Sequence, residues 1–411
     1  MESTTSQPLL QAVETGSAWL LEHYEHLHRH PELSMEEHDT AEYIEDVLQG
    51  LGLETQRIGE TGVVAIIENG DGRVVLGRAD MDALPVTEDT ALEYASETPG
   101  VMHACGHDTH MAGLLGAVRT LTEHRSAWQG TYIALFQPSE EDASGARAMI
   151  ADGLADRIPR PDACFACHAM VGPAGQVSVR PGPTLSSADS VRITVFGRGA
   201  HGSMPHLSVD PVVLASSIVL RLQTIVARET EPGTFAVVTV GALHAGSSSN
   251  IIADRAELQL NVRTYDENVR ERVLAAIERI VRAECEAAGS PREPEFTYDD
   301  HYPVTDNDAD LHDLVRASFD AAFGDDSQTA TPATASEDFC AIPEAFGTPY
   351  ACWFVGSTDR ERYSDAEARG AVSTEIPGNH SPAFAPVAEP TVVRIAQSHV
   401  AAAMAVFGSA E

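Results

Sequence analysis

The chain is 411 residues long, 43% hydrophobic and 21% charged, with the apolar material for a folded core and the length for two or three domains of about 150 residues. It contains no lysine, so its 26 basic residues are all arginine, and its 62 acidic residues set the formal net charge at −36. Such a field repels phosphate backbones and argues against nucleic acid as a partner, while the missing lysine removes Schiff-base and pyridoxal chemistry and the phosphate-loop lysine.

The start, Met1-Glu2-Ser3-Thr4-Thr5, has neither the basic residues nor the apolar stretch of an export signal. No run approaches the roughly 18 uninterrupted apolar residues of a membrane span. A cytoplasmic protein with no membrane partner is expected. Residues 10–28 and 35–51 carry apolar positions at helical spacing, and Gly50 and Gly52 supply a stop. Two β-like runs follow, 62–67 and 73–77, around an Asn69-Gly70-Asp71-Gly72 turn. A helix over 109–123, a strand over 131–136, a helix from Ser144 and a strand through 163–166 continue the alternation. Alternating strands and helices imply an α/β sheet covered on both faces, whose ligands gather at strand ends.

The pattern changes at Arg180-Pro181-Gly182-Pro183. A strand (190–197), a helix (209–228), two strands (235–243, 256–264) and a helix (267–288) make a β-α-β-β-α segment long enough to be a domain. Its far boundary is expected at Ser290-Pro291-Arg292-Glu293-Pro294. The reading is a catalytic domain, 1–183 and 292–411, interrupted by an inserted domain, 184–291, and closed by an apolar helix over 388–406.

Metal-ligand residue types cluster beside strand ends. They are Asp80 and Asp82; His103, Cys105, His107, Asp108 and His110; Glu140, Glu141 and Asp142; His168; and His380. Singly, each has an ordinary explanation. Acids complement a helix N-terminus, aspartates sit in turns, and a lone histidine is commonly a satisfied polar residue. Together, carboxylates, imidazoles and a Cys-x-His pair at successive strand ends of one sheet favour a metal site.

Six cysteines in a chain this long do not make a disulfide framework. Cys164-Phe165-Ala166-Cys167-His168 spells a c-type haem attachment site, but it reads as an apolar strand, which makes both cysteines core residues. The acidity fits two readings, adaptation to high salt and an acidic, arginine-preferring proteome.

Seven stretches in order resemble the aminoacylase, carboxypeptidase G and hippurate hydrolase family of metallopeptidases. They are His28-Arg29-His30-Pro31-Glu32-Leu33-Ser34, Arg78-Ala79-Asp80-Met81-Asp82-Ala83-Leu84-Pro85, His103-Ala104-Cys105-Gly106-His107-Asp108, Gln137-Pro138-Ser139-Glu140-Glu141, Gly199-Ala200-His201-Gly202-Ser203-Met204-Pro205-His206, Ser336-Glu337-Asp338-Phe339 and His380-Ser381-Pro382. Within the family they are similar to the amidohydrolase branch of hippurate hydrolases, auxin-conjugate hydrolases and N-acyl-glutamine aminoacylases. Asp80 stands where the wider family has a histidine, which matches that branch.

The resemblance implies an α/β fold, a mixed-sheet, zinc-peptidase-like catalytic domain with an inserted β-α-β-β-α dimerisation or lid domain, and a homodimer. It implies that Cys105, His107, Glu141, His168 and His380 hold two divalent ions bridged by a water, zinc first, with manganese or cobalt as alternatives. It makes Glu140 the general base and Asp82 the orienting aspartate. His201, in the inserted domain, is expected to stabilise the oxyanion, and Asn250, Arg263 and Glu337 to hold substrate. Without the resemblance, Arg263 reads equally as a surface salt bridge.

The activity implied is metal-dependent hydrolysis of N-acyl amino acids. A dipeptidase or carboxypeptidase of the same family is the nearest alternative, and the Cys-Gly-His-Asp spelling is expected to disfavour it. A non-catalytic binding protein is the alternative from another class, but such a protein has no need of an intact Glu140.

Overall fold

A computed structural model describes residues 6–408; the Met1–Thr5 stretch, on which the expected absence of an export signal partly rests, lies outside them. Contacts divide the chain into two units. One holds the chain up to Thr184 with Asp306–Thr331 and the stretch from Asp338 onward, and the other holds Leu185–Thr305 with Pro332–Glu337.

The first unit is built on β1 (Thr55–Ile58), β2 (Gly62–Asn69), β3 (Val74–Asp80), β4 (Gly130–Gln137), β5 (Ala163–Pro173) and β6 (Val177–Val179). In the second unit, or at its edges, lie β7 (Gly182–Leu185), β8 (Ser187–Phe196), β9 (Ala200–His201), β10 (Ala236–Ala245), β11 (Ile251–Ile252), β12 (Arg255–Thr264), β13 (Glu295–Tyr302) and β14 (Thr305–Asn307). The chain then returns through β15 (Ser327–Thr329) and β16 (Tyr350–Thr358). An eight-stranded mixed sheet runs β1-β2-β4-β3-β5-β16-β6-β15. Its middle is parallel, β4 with β3, β3 with β5 and β5 with β16, while β1 with β2, β2 with β4 and β16 with β6 are antiparallel.

Central parallel strands are covered on both faces, and every residue of β16 is buried. The Ser17–Arg29, His107–Glu123, Ala309–Phe323 and Ala388–Phe407 helices share one apolar core with these strands. The helix expected over 10–28 is broken at Gly16 into Gln7–Thr15 and Ser17–Arg29. The Asn69–Gly72 turn does not close a hairpin, because β4 lies between β2 and β3.

The second unit is an antiparallel sheet, β10-β12-β8-β13, packed through one core with the Pro211–Thr224 and Glu267–Ala288 helices. It runs past the boundary expected at residue 291, because β13 pairs with β8; its main segment continues to Thr305, and Pro332–Glu337 joins it later in the chain. The expected β-α-β-β-α pattern therefore gains a closing strand, β13, besides the short β9 and β11. Among the described residues one helical stretch, the Pro211–Thr224 helix with its continuation to Glu229, is long and apolar enough by composition to cross a membrane. Here its Leu214, Ala215, Ile218 and Leu222 are buried in the core of the unit.

Candidate metal centre

Five chain segments converge in the first unit, most of them on or just after the parallel strands, where open sheets gather ligands. β3 ends at Asp80 and leads to Asp82, and the loop before the His107–Glu123 helix carries Cys105 and His107. The turn after β4 carries Glu140 and Glu141, and β5 itself carries His168. His380 arrives from a late turn and is anchored by its own N–H on the Ala104 carbonyl at 2.8 Å. Gly106, at φ 90°, turns the chain between Cys105 and the helix that opens with His107.

The ligand atoms of Cys105, His107 and His168 lie within 4.8 Å of one another, and so do those of Cys105, Glu141 and His380. These two groups share Cys105 and contain all five expected ligands. Cys105 Sγ is 3.4 Å from His168 Nε2, and His380 Nε2 is 3.3 Å from Glu141 Oε1.

His107 tests whether a cation belongs here. Its Nδ1 is 2.8 Å from the Asp82 carbonyl oxygen and 3.2 Å from Asp82 Oδ1, so Nδ1 carries the proton. The buried Nε2 has no hydrogen-bond partner and faces Asp80 Oδ2 at 3.6 Å and oxygens of Glu140 and Glu141 at 3.9 Å. A bare lone pair among three carboxylates is repulsive, and a cation between them removes the conflict. Lacking one, the ring takes a proton: burial alone would lower its pKa, but Asp80 and Asp82 outweigh burial and hold it at about 10.

Burial, then Glu141, Glu140 and Asp80, push the Cys105 thiol well above its ordinary value, so it ligates only when a cation displaces its proton. Burial, and His110 beside it, hold His168 down at about 3. Its Nδ1 donates to the Ala169 carbonyl at 2.9 Å, which leaves Nε2 to bind. The residues fit divalent ions.

Asp82 does more than orient His107. Its Oδ2 accepts from Ser34 Oγ at 2.7 Å and from the Glu141 N–H at 3.0 Å, so one residue fixes both the His107 ring and the turn that carries Glu140 and Glu141. Neither Asp80 nor Asp82 is an exposed turn residue; both are buried. Asp80 is clamped by Arg78 Nη1 at 2.7 Å and by His110 Nδ1 at 2.5 Å. Arg78 also donates to Gln137 Oε1 at 2.9 Å and Asp338 Oδ1 at 3.3 Å. Sequence reasoning missed Arg78, His110, Gln137 and Asp338 as a network. The available signal was an arginine inside an apolar strand, which has to be paired. It also missed Asn379, whose amide donates to the carbonyls of Cys105 and Ala169 at 3.0 Å each. Cys164 and Cys167 are buried, outside any disulfide and three positions apart on β5, so they face opposite sides of the sheet, which is incompatible with a shared haem.

The remaining expected residues belong to the second unit. β9 pairs with β11, Ile251 opposite His201, and the Gly202 N–H reaches the Asn250 carbonyl at 2.6 Å, so His201 and Asn250 are neighbours. Arg263 donates to Asn261 Oδ1 at 2.9 Å, the Thr334 carbonyl at 2.7 Å and Ser336 Oγ at 3.1 Å. It makes no ion pair among the described residues, so the salt-bridge reading fails. Glu337 is buried at the end of the strip that Arg263 holds.

A mixed-sheet α/β unit with this ligand set defines a metal-binding hydrolase. The profile of peptidase family M20/M25/M40 matches residues 76–369, and the chain belongs to that family. It is 38% identical over 303 residues to a thermostable carboxypeptidase of Saccharolobus solfataricus, covering 72% of this chain and 76% of that one. It is 40% identical over 278 residues to an N-acyl-L-amino acid amidohydrolase of Geobacillus stearothermophilus, covering 66% and 74%. A crystal structure of a Bacillus subtilis dinuclear metal-binding peptidase of the M20 family superposes with TM-score 0.78 at 29% identity, covering 97% of this chain and 100% of that one.

Proposed function

We propose that this amidohydrolase cleaves N-acyl amino acids into a carboxylic acid and a free amino acid. Cys105, His107, Glu141, His168 and His380 hold two divalent ions, zinc first because of the thiol, and Glu140 is the general base. The observation that carries the reading is the pair of ligand groups sharing Cys105, with Glu140 Oε2 and Glu141 Oε1 each 3.9 Å from His107 Nε2. Bound divalent ions polarise the scissile carbonyl and bring the pKa of water from 15.7 toward about 7. Glu140 takes the proton of the attacking water and returns it to the leaving amine, work worth typically about 10²–10⁴-fold.

The second unit supplies the rest of the proposal. The Ser203 N–H donates to His201 Nδ1 at 3.2 Å, which leaves the proton on Nε2 as a donor for the developing oxyanion. Arg263, held by neutral acceptors, keeps its charge for a free carboxylate, with Asn250 on the substrate amide and Glu337 beside it. The same unit is the proposed homodimer surface. β10 is an edge strand, and Leu207, Val213 and Leu220 are 54%, 65% and 73% exposed. The cytoplasm is the proposed compartment, a reading supported by six cysteines of which none is in a disulfide.

The relative named carboxypeptidase favours a second reading. A peptide is an acyl amino acid at its C-terminal residue, so the same site serves both substrates. The test is amino-acid release from a panel of N-acyl amino acids and peptides, before chelation, after it and after metal restoration. Chelator-sensitive release from simple acyl amino acids is expected, and release from peptides alone would replace it with the carboxypeptidase. Glu140→Gln is expected to keep bound metal and lose nearly all turnover; retained turnover would sink the general-base role.

A further inference from the structure

We infer that Glu37 is a positioning residue for the general base, acting through the backbone of Ser139; the inference rests on the reading of Glu140 given above. Ser139 directly precedes Glu140, is fully buried, and sits at φ 48°, a left-handed conformation that serine rarely adopts. Its N–H donates to Glu37 Oε1 at 2.8 Å. The N–H of Met35, also left-handed at φ 60°, reaches the same oxygen at 3.0 Å, and Thr61 Oγ1 donates to Oε2 at 2.7 Å. Glu37 itself has no exposed surface and stands just before the His38–Gly50 helix. A buried carboxylate that collects two strained amides and a hydroxyl holds both amides in conformations they would otherwise leave.

The turn it holds is tight. The N–H groups of Ser144 and Gly145 return to the Ser139 carbonyl at 3.3 and 3.0 Å, and that of Ala143, at φ 54°, to the Glu140 carbonyl at 2.9 Å. A Cβ on Gly145 would lie 1.6 Å from the Pro138 oxygen, so no other residue fits there. The turn is pinned beyond Glu140 by the Glu141 N–H on Asp82, and before it by the Ser139 N–H on Glu37. Without Glu37, Ser139 relaxes out of the left-handed region and rotates the peptide that carries Glu140. A displacement near 1 Å is enough to cost about 100-fold in rate.

The experiment compares Glu37→Met, equal in size but without an acceptor, with Glu37→Gln, which keeps one, each with and without Ser139→Gly, in the full-length metal-loaded enzyme. Glu37→Met is expected to lower kcat roughly 10- to 100-fold, with KM within about threefold and metal content unchanged, and Glu37→Gln to stay within about threefold of the parent. Glycine adopts positive φ freely, so Ser139→Gly is expected to restore most of the kcat lost in Glu37→Met without restoring its melting temperature. An unchanged kcat in Glu37→Met, or a fall that glycine does not rescue, overturns the proposal. If Glu37→Met does not fold, Thr61→Val takes its place: a smaller, glycine-rescued fall in kcat supports the proposal and an unchanged kcat overturns it. Turnover retained by Glu140→Gln would instead remove the base that Glu37 is said to position, so the two failures are separable.

Discussion

Replacing Arg78 with methionine tests the strongest electrostatic feature of the first unit. The residue is 1% exposed and its side chain lies between two buried carboxylates, 2.7 Å from Asp80 Oδ2 and 3.3 Å from Asp338 Oδ1. Methionine fills much of the volume and removes the charge. Asp80 keeps His110, and Asp338 keeps the Gln137 amide at 2.6 Å and the Ala146 N–H at 3.2 Å, so the loss is the guanidinium and not every partner. Breaking a buried pair costs about 3–5 kcal/mol, and the surviving donors place the expected loss near the lower end.

All three tryptophans, Trp19, Trp128 and Trp353, belong to the first unit, so denaturant unfolding followed by their fluorescence, with excess zinc in both proteins, reports on that unit. The pH dependence adds a second reading. Burial works against ionisation of Asp80, but His107, His110 and Arg78 hold it well below the usual carboxylate range. Without Arg78 the Asp80 carboxyl protonates more readily, so the deficit is expected to shrink as pH falls from about 7 toward 5. Arg78→Met with Asp338→Asn is expected to recover part of the loss. A deficit under about 1 kcal/mol, or one independent of pH, would refute the view that Arg78 is there to compensate these charges.

Burial lowers the pKa of His28, but Asp108 at 2.6 Å and Glu88 at 3.3 Å outweigh it and raise the value from 6.5 to about 9. The stabilisation is therefore complete below pH 6.5 and lost as pH rises to about 9; the advantage of the parent over His28→Gln in melting temperature should fall across that window, and a constant advantage would contradict the pairing. Because Cys105 and His107 hold protons without a cation, zinc added to chelated enzyme near pH 7.5 is expected to release about two protons per chain, read with an indicator in weak buffer; no release would mean other ligands. Val213→Asp with Leu220→Asp should convert a dimer to monomers in sedimentation, and an unchanged mass would move the interface elsewhere.

Local signals were readable where one segment decides the outcome. The Glu267–Ala288 helix begins on the Asp266 side chain, which accepts from the Val269 N–H, and ends at left-handed Gly289, so its bounds follow from the sequence. β13 was not readable. Most of its residues are exposed without alternation, and its partner β8 lies about a hundred residues earlier. The break at Gly16 was hidden because the apolar pattern continues on both sides of it. The ligand types were legible from their spacing after strands, while the clamp on Asp80 was not, because its members are supplied by β3, β4, the His107–Glu123 helix and residue 338.

Hydrogen-bond accounting also separates histidines already committed to protein partners from those with a ring nitrogen left for the proposed centre. Asp80, His107 and His110 are close enough together to suggest a further ion. His110, however, donates from Nδ1 to Asp80 and accepts the Ala169 N–H at Nε2 at 2.8 Å, so neither nitrogen has a lone pair to offer. Both oxygens of Asp80 already receive a donor, one from His110 and one from Arg78. His28 is committed in the same way, to Asp108 and Glu88. In His107 and His168, Nδ1 is spent on a backbone carbonyl, which fixes the tautomer and leaves Nε2 among ligand atoms. Asp80 then acts as a fixed negative charge 3.6 Å from His107 Nε2, favouring a cation in the centre without having to bind it.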